Sequence, residues 1–108
     1  MSNYRKEDLV ECAEMFNALS HPHRLRIFVD HLKYCNVKEA GVGISQARSY
    51  MQEIAEELGI APSTVSHHLK ELRQAGLIKI ERNGQRVSCW VEKDIAEKLS
   101  AFFVLKDN

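Results

Sequence analysis

Glycines and a proline punctuate residues 49–91, and their order restricts the fold more than any other feature of the chain. Ser49 through Leu58 carries Met51, Ile54, Ala55 and Leu58 at steps of three and four, the period of a helix with one inward stripe. Gly59 follows where a left-handed residue ends a helix, and Pro62 stands where the next one starts. Val65, Leu69 and Leu72 mark the inward stripe of that second helix, which Gly76 closes after Ala75. Beyond it, 77–82 and 85–91 are β-prone runs separated by Asn83-Gly84. Asn-Gly favours a tight two-residue hairpin because both central residues of a type I′ turn need positive φ. Helix, glycine turn, helix, hairpin is the order of a winged helix-turn-helix, centred here on residues 50–91.

The remaining segments supply helices around that unit. In 5–19, Leu9, Cys12, Ala13, Phe16 and Leu19 form one apolar stripe. Ser20-His21-Pro22 offers an N-cap and an early proline for a second helix running to about Tyr34, with Leu25, Ile27, Phe28, Val29 and Leu32 mostly inward. Residues 36–48 lose this period, contain two glycines and read as a long loop. A last helix over 94–105 places Ile95, Leu99, Phe102 and Phe103 on one stripe, large for so small a domain. The expected fold is mainly α with a small β-hairpin, in the order α-α-α-α-β-β-α, as a single domain over 1–108.

At 108 residues the chain suits one domain and leaves no room for a separate cofactor domain. No nucleophile–base set or phosphate loop can be assembled, so an enzyme is not expected, nor is a cofactor. No apolar run nears the roughly 20 residues that span a bilayer, and the mixed-charge start lacks a secretory signal, so a cytoplasmic protein without a membrane partner is expected. The three cysteines, Cys12, Cys35 and Cys89, are odd in number and widely spaced, which fits free thiols in a reducing compartment.

Charge is segregated. Lysines and arginines balance aspartates and glutamates at 15 each, yet residues 61–86 hold Lys70, Arg73, Lys79, Arg82 and Arg86 against only Glu71 and Glu81. A basic segment within a neutral chain is the footprint of one face that meets phosphate. The stripe of the fourth helix leaves Ser63, Thr64, Ser66, His67, Lys70 and Arg73 on outward positions. Ser63, Thr64, Ser66 and His67, near the helix N-terminus, are candidates for base edges or phosphate; Lys70 and Arg73, farther along, suit backbone phosphate. Arg82, Asn83, Gln85 and Arg86 at the hairpin tip suit an adjacent minor groove or backbone. The bland alternative is a solvated helix face and an ordinary polar hairpin, or a winged domain that binds a protein and not DNA.

Two stretches give a family resemblance. Ala18-Leu19-Ser20-His21-Pro22-His23-Arg24-Leu25-Arg26-Ile27, and the run from Ile54 through Pro62-Ser63-Thr64-Val65-Ser66-His67-His68-Leu69 to Ile78, resemble the ArsR/SmtB family of bacterial winged-helix repressors over about residues 9–103. The resemblance implies a homodimer built from the first and last helices (5–19 and 94–105), bound to a palindromic double-stranded operator and released by an effector. It also implies where metal sensors of the family place ligands: cysteines in the third helix, or histidines and carboxylates in the last. Here the third helix has no cysteine and the last has Asp94 and Glu97 but no histidine, so neither arrangement is intact and the effector stays open. Cys12 and Cys35, with His31 spaced i,i+4 from Cys35, form the alternative metal set, and Cys12, Cys35 or Cys89 a thiol switch. A lone cysteine on an apolar stripe, such as Cys12, or between inward strand positions, such as Cys89, is more often a small core residue. His67 and His68 diverge by about 100° on a helix and suit DNA contact or packing, while His21 and His23 suit capping at a helix start.

Overall fold

The computed structural model describes residues 4–34, 42–83 and 86–105. Its elements run α1 (Lys6–Ala18), α2 (Pro22–Tyr34), β1 (Val42–Gly43), α3 (Ile44–Leu58), α4 (Pro62–Gln74), β2 (Lys79–Asn83), β3 (Arg86–Trp90) and α5 (Lys93–Ser100), with a 3-10 turn at Ala101–Phe103. The architecture is a winged helix-turn-helix, mainly helical around one small antiparallel sheet.

Both glycines that close helices of the helix-turn-helix do so with the same bonds. Gly59 has φ +69, and Ile60 N–H reaches back to Ala55 C=O at 3.0 Å while Gly59 N–H reaches Glu56 C=O at 3.3 Å. Gly76 has φ +81, with Leu77 N–H on Leu72 C=O and Gly76 N–H on Arg73 C=O, each at 3.0 Å. These are Schellman closures, which satisfy carbonyls that a helix end leaves bare. After α4 the residues at both ends of this closure, Leu72 and Leu77, are fully buried.

The core gathers around α4. Ile27 of α2, Val65 and Leu72 of α4, and Leu77 and Ile78 behind it are all fully buried, with Cys12 and Met15 of α1 and Ile54 and Ala55 of α3 beside them. Each large aliphatic side chain withdrawn in this way contributes about 1.5–3 kcal/mol. Arg26 ties α2 to α3 by pairing with Glu57 and, one turn along its own helix, with Asp30 at 3.3 Å. Lys98 of α5 lies 3.5 Å from Asp8 and 3.6 Å from Glu11 of α1. The Asp8 carboxyl is held below its ordinary range, first by the hydrogen bond from Arg5 and also by Lys98. Burial works against the Lys98 charge, but Glu11 and Asp8 together keep its pKa above the ordinary value.

Several expectations need correction. Residues 42–48 are not loop: Val42–Gly43 forms β1, paired with β3 at Val42↔Val87 and Gly43↔Arg86, and α3 starts at Ile44, five residues before Ser49. A two-residue strand carries no periodicity to read, but the helical stripe does extend backwards through Ala47 to Ile44. Residues 36–41 lie outside the described residues. The sheet therefore has three strands, ordered β1-β3-β2. The β2–β3 register pairs Asn83 with Arg86, so Asn83, expected in the turn, is a strand residue, and 84–85 lie outside the described residues. Ser20 does not cap α2; its hydroxyl donates to Asn17 C=O at the end of α1, and the His21 ring takes the capping position. The last helix ends at Ser100 and continues as the 3-10 turn. Leu9, Leu25 and Val29, expected inward, are exposed, and so is Phe103 at 70%.

Candidate nucleic-acid interface

Pro62 fixes the start of α4, preceded by Ala61 in extended backbone, and no side chain caps that end. At 100° per residue, Ser63, Ser66, His67, Lys70 and Arg73 fall within an arc of roughly 120°. All five are exposed, while Val65, His68 and Leu72 on the opposite side are buried. Thr64 lies at the flank of the arc and is half-buried, so among the expected contacts it projects least. The arc presents hydroxyls near the uncapped end and cations farther along. Among the described residues neither Lys70 nor Arg73 pairs with a carboxylate, whereas His67 has Glu71 one turn away at 3.9 Å.

The wing follows immediately. Arg82 and Asn83 end β2 and Arg86 begins β3 at the distal end of the hairpin. Their side chains lie outside the described residues, as does Gln85. Between α4 and β2 the chain passes through the Gly76 closure and the buried Leu77-Ile78 pair.

Of the cysteines, Cys12 is a free, fully buried thiol on the core side of α1. Burial raises its pKa; Lys98 opposes this, and Glu11 and Asp8 add to it. A protonated, enclosed thiol is a poor ligand and a poor nucleophile. Cys35 and the side chains of His31 and Cys89 lie outside the described residues.

One grouping escaped the reading of the sequence. His68, the buried polar side chain of the core at 6% exposure, faces the start of α2, and His21 and His23 pack against it with ring centroids 4.6 and 5.9 Å away. The His21 and His23 rings are themselves 5.2 Å apart. His21 Nδ1 accepts the N–H of His23 at 3.2 Å, which makes it the side-chain cap of α2. His68 Nδ1 is buried with no hydrogen-bond partner, as is Arg24 Nε. Leaving such a group unpaired costs about 1–3 kcal/mol. Burial lowers the His68 pKa, and His21, Arg24, His23 and His67 push it the same way. Sequence spacing offers little clue, since 45 residues separate His23 from His68; only the packing of α2 on α4 joins them.

The comparisons with known proteins agree with this architecture. The family described as bacterial regulatory protein, arsR family, matches residues 44–79, from the first residue of α3 to the first of β2. No curated protein matches the chain. Among solved structures, the transcriptional repressor PagR of Bacillus anthracis is 22% identical, with a TM-score of 0.62 over 93% of this chain and 100% of that one. A homodimeric winged helix-turn-helix DNA-binding domain from Mycobacterium bovis, a possible ArsR-family transcriptional regulator, is 20% identical, with a TM-score of 0.59 over 95% of this chain and 87% of that one. HlyU from Vibrio cholerae is 19% identical, with a TM-score of 0.57 over 92% and 98%. At such identities the structural likeness establishes the fold.

Proposed function

We propose that this chain, whose residues 44–79 match the family described as bacterial regulatory protein, arsR family, is a sequence-specific DNA-binding transcriptional regulator, acting as a homodimeric repressor. The observation that carries the reading is the outward arc of α4, where hydroxyls, an imidazole and two cations that pair with no carboxylate among the described residues stand opposite a buried stripe. Ser63, Ser66 and His67 would meet base edges in the major groove, with Thr64 in a lesser part. Lys70 and Arg73 would hold phosphates, and Arg82, Asn83, Gln85 and Arg86 would place the wing on the flanking backbone or minor groove. With that role goes a cytoplasmic location; no helix among the described residues is long and apolar enough to cross a membrane. Enzymatic turnover has no part in it.

The dimer would form through α1 and the C-terminal segment. Tyr4 stacks on Phe102 at 4.7 Å, Phe16 meets Phe102 and Phe103 edge-on, and beside them Leu9, Val10, Phe103, Val104 and Leu105 are exposed. An apolar surface of this kind on a small domain marks an interface.

A gel shift on operator DNA selected from a random pool tests the reading. Lys70→Ala and Arg73→Ala should weaken binding to all sequences and each lower the slope of log affinity against log salt by about 1. Ser66→Ala and His67→Ala should change which base is preferred. Binding indifferent to salt and to all four substitutions would leave the wing and α4 as a protein-docking surface.

A further inference from the structure

We propose that His21, His23 and His68 form a binding site for a divalent transition metal of the Zn2+ and Co2+ class, bridging the start of α2 to α4. One ring nitrogen of each of the three side chains lies within 4.8 Å of those of the other two. Four-coordinate zinc with imidazole bonds of 2.0–2.1 Å separates its nitrogens by roughly 3.3 Å, so loading requires a contraction of about 1.5 Å at most. His68 is locked in the core on α4, while His21 and His23 are half-buried on the turn into α2, and rotation of those two rings can make the approach. Three neutral imidazoles suit a borderline ion and leave one position for water.

One further observation favours a ligand there over packing alone. His68 Nδ1 is enclosed and unpartnered, a state that a metal bond or a bridging group would relieve. The opposing influence is Arg24, whose guanidinium is close enough to act on His68 and would repel a cation. It limits affinity, and the site should hold its ion more weakly than a closed structural zinc site. His67, although its ring is 6.1 Å from that of His68, is exposed on the groove-facing arc and is not a ligand.

The site has a built-in mechanical link. His21 Nδ1 now accepts the His23 N–H; bonding the metal through either ring nitrogen either occupies Nδ1 or places a proton on it, so loading exchanges this helix cap for a metal bond. The start of α2 is thereby re-anchored on α4. That this would alter DNA affinity rests on the reading of α4 given above.

The test is titration of the reduced, full-length protein with Co2+, followed by Zn2+ displacement, on wild type, His21→Gln, His23→Gln and Cys35→Ser. The expected result is one Co2+ per chain with visible ligand-field absorption and no thiolate charge-transfer band. Affinity should fall at least about 10-fold in either histidine variant, the least that loss of even an outer partner costs, and stay unchanged in Cys35→Ser. Because His68→Gln risks unfolding, His68 is followed in wild type by the imidazole nitrogen resonances on adding Zn2+, which should shift with those of His21 and His23. Absence of stoichiometric binding, binding untouched by the two histidine substitutions, or a thiolate band lost in Cys35→Ser would each overturn the site. A gel shift in the same metal series is read separately: metal binding without any DNA binding sinks the regulator and leaves the site standing.

Discussion

At the residue scale, the same side-chain type takes opposite roles according to which way the helix turns it. His67 and His68 are neighbours in sequence, yet one stands on the exposed arc of α4 and the other is sealed in the core. The 100° step along a helix fixes that they part, but the identity of the buried one follows from the stripe Val65, His68, Leu72. Cys12 shows the power of a pattern read alone: it occupies an apolar stripe and is fully buried. Its raised pKa sets an expected outcome. In a Cys35→Ser/Cys89→Ser protein at pH 7, Cys12 should resist a thiol reagent while the protein is folded and react completely in denaturant. Labelling of the folded protein as fast as a free thiol would restore Cys12 as a redox sensor.

Elements differ in how plainly the sequence announces them. α4 is bracketed by Pro62 and Gly76 and carries a clear stripe, so its limits are legible; the two glycines fall where the backbone needs positive φ. β1 is two residues long and exists only because β3 offers it an edge, a long-range pairing that local pattern cannot express. The wing was legible as a hairpin, but Asn83 joins the ladder opposite Arg86 where the sequence put it in the turn. Of the site, the outward arc of α4 follows from helical period, whereas the histidine cluster depends on α2 meeting α4 and had no local signal. The glycine closures allow a sharp comparison. A Cβ at Gly59 meets nothing within 4 Å, and one at Gly76 meets only Met15 Cε at an ordinary 3.6 Å. Gly59→Ala and Gly76→Ala should therefore each cost about 1–2 kcal/mol, the price of left-handed backbone, measured by urea unfolding. A much larger loss at either site would mean that packing, and not φ, dictates glycine there.

On the scale of the whole molecule, the chain is elongated, 49 × 28 × 26 Å, with a radius of gyration of 15.3 Å against the roughly 13 Å usual for a compact unit of this length. Phe103, Val104 and Leu105 at 70, 76 and 90% exposure, and the exposed Leu9 and Val10, leave apolar surface at the α1–C-terminal side that one subunit does not cover. If two copies pair through that surface and read one face of a duplex, the selected operator should be an inverted repeat with half-sites about one DNA turn apart. Phe103→Glu with Leu105→Glu should shift sedimentation to the monomer and weaken operator binding, while helical content by circular dichroism stays the same. A wild-type protein that sediments as a monomer at micromolar concentration would end the dimer proposal.

The strand order β1-β3-β2 has one more consequence for how copies of this protein meet. With β3 hydrogen-bonded on both flanks, the open edges among the described residues are the outer sides of β1, two residues long, and of β2, whose sequence Lys79-Ile80-Glu81-Arg82-Asn83 carries three charges in five residues. That charge density on the longer edge disfavours addition of a further strand, so at high concentration the protein should form discrete assemblies and not cross-β aggregates.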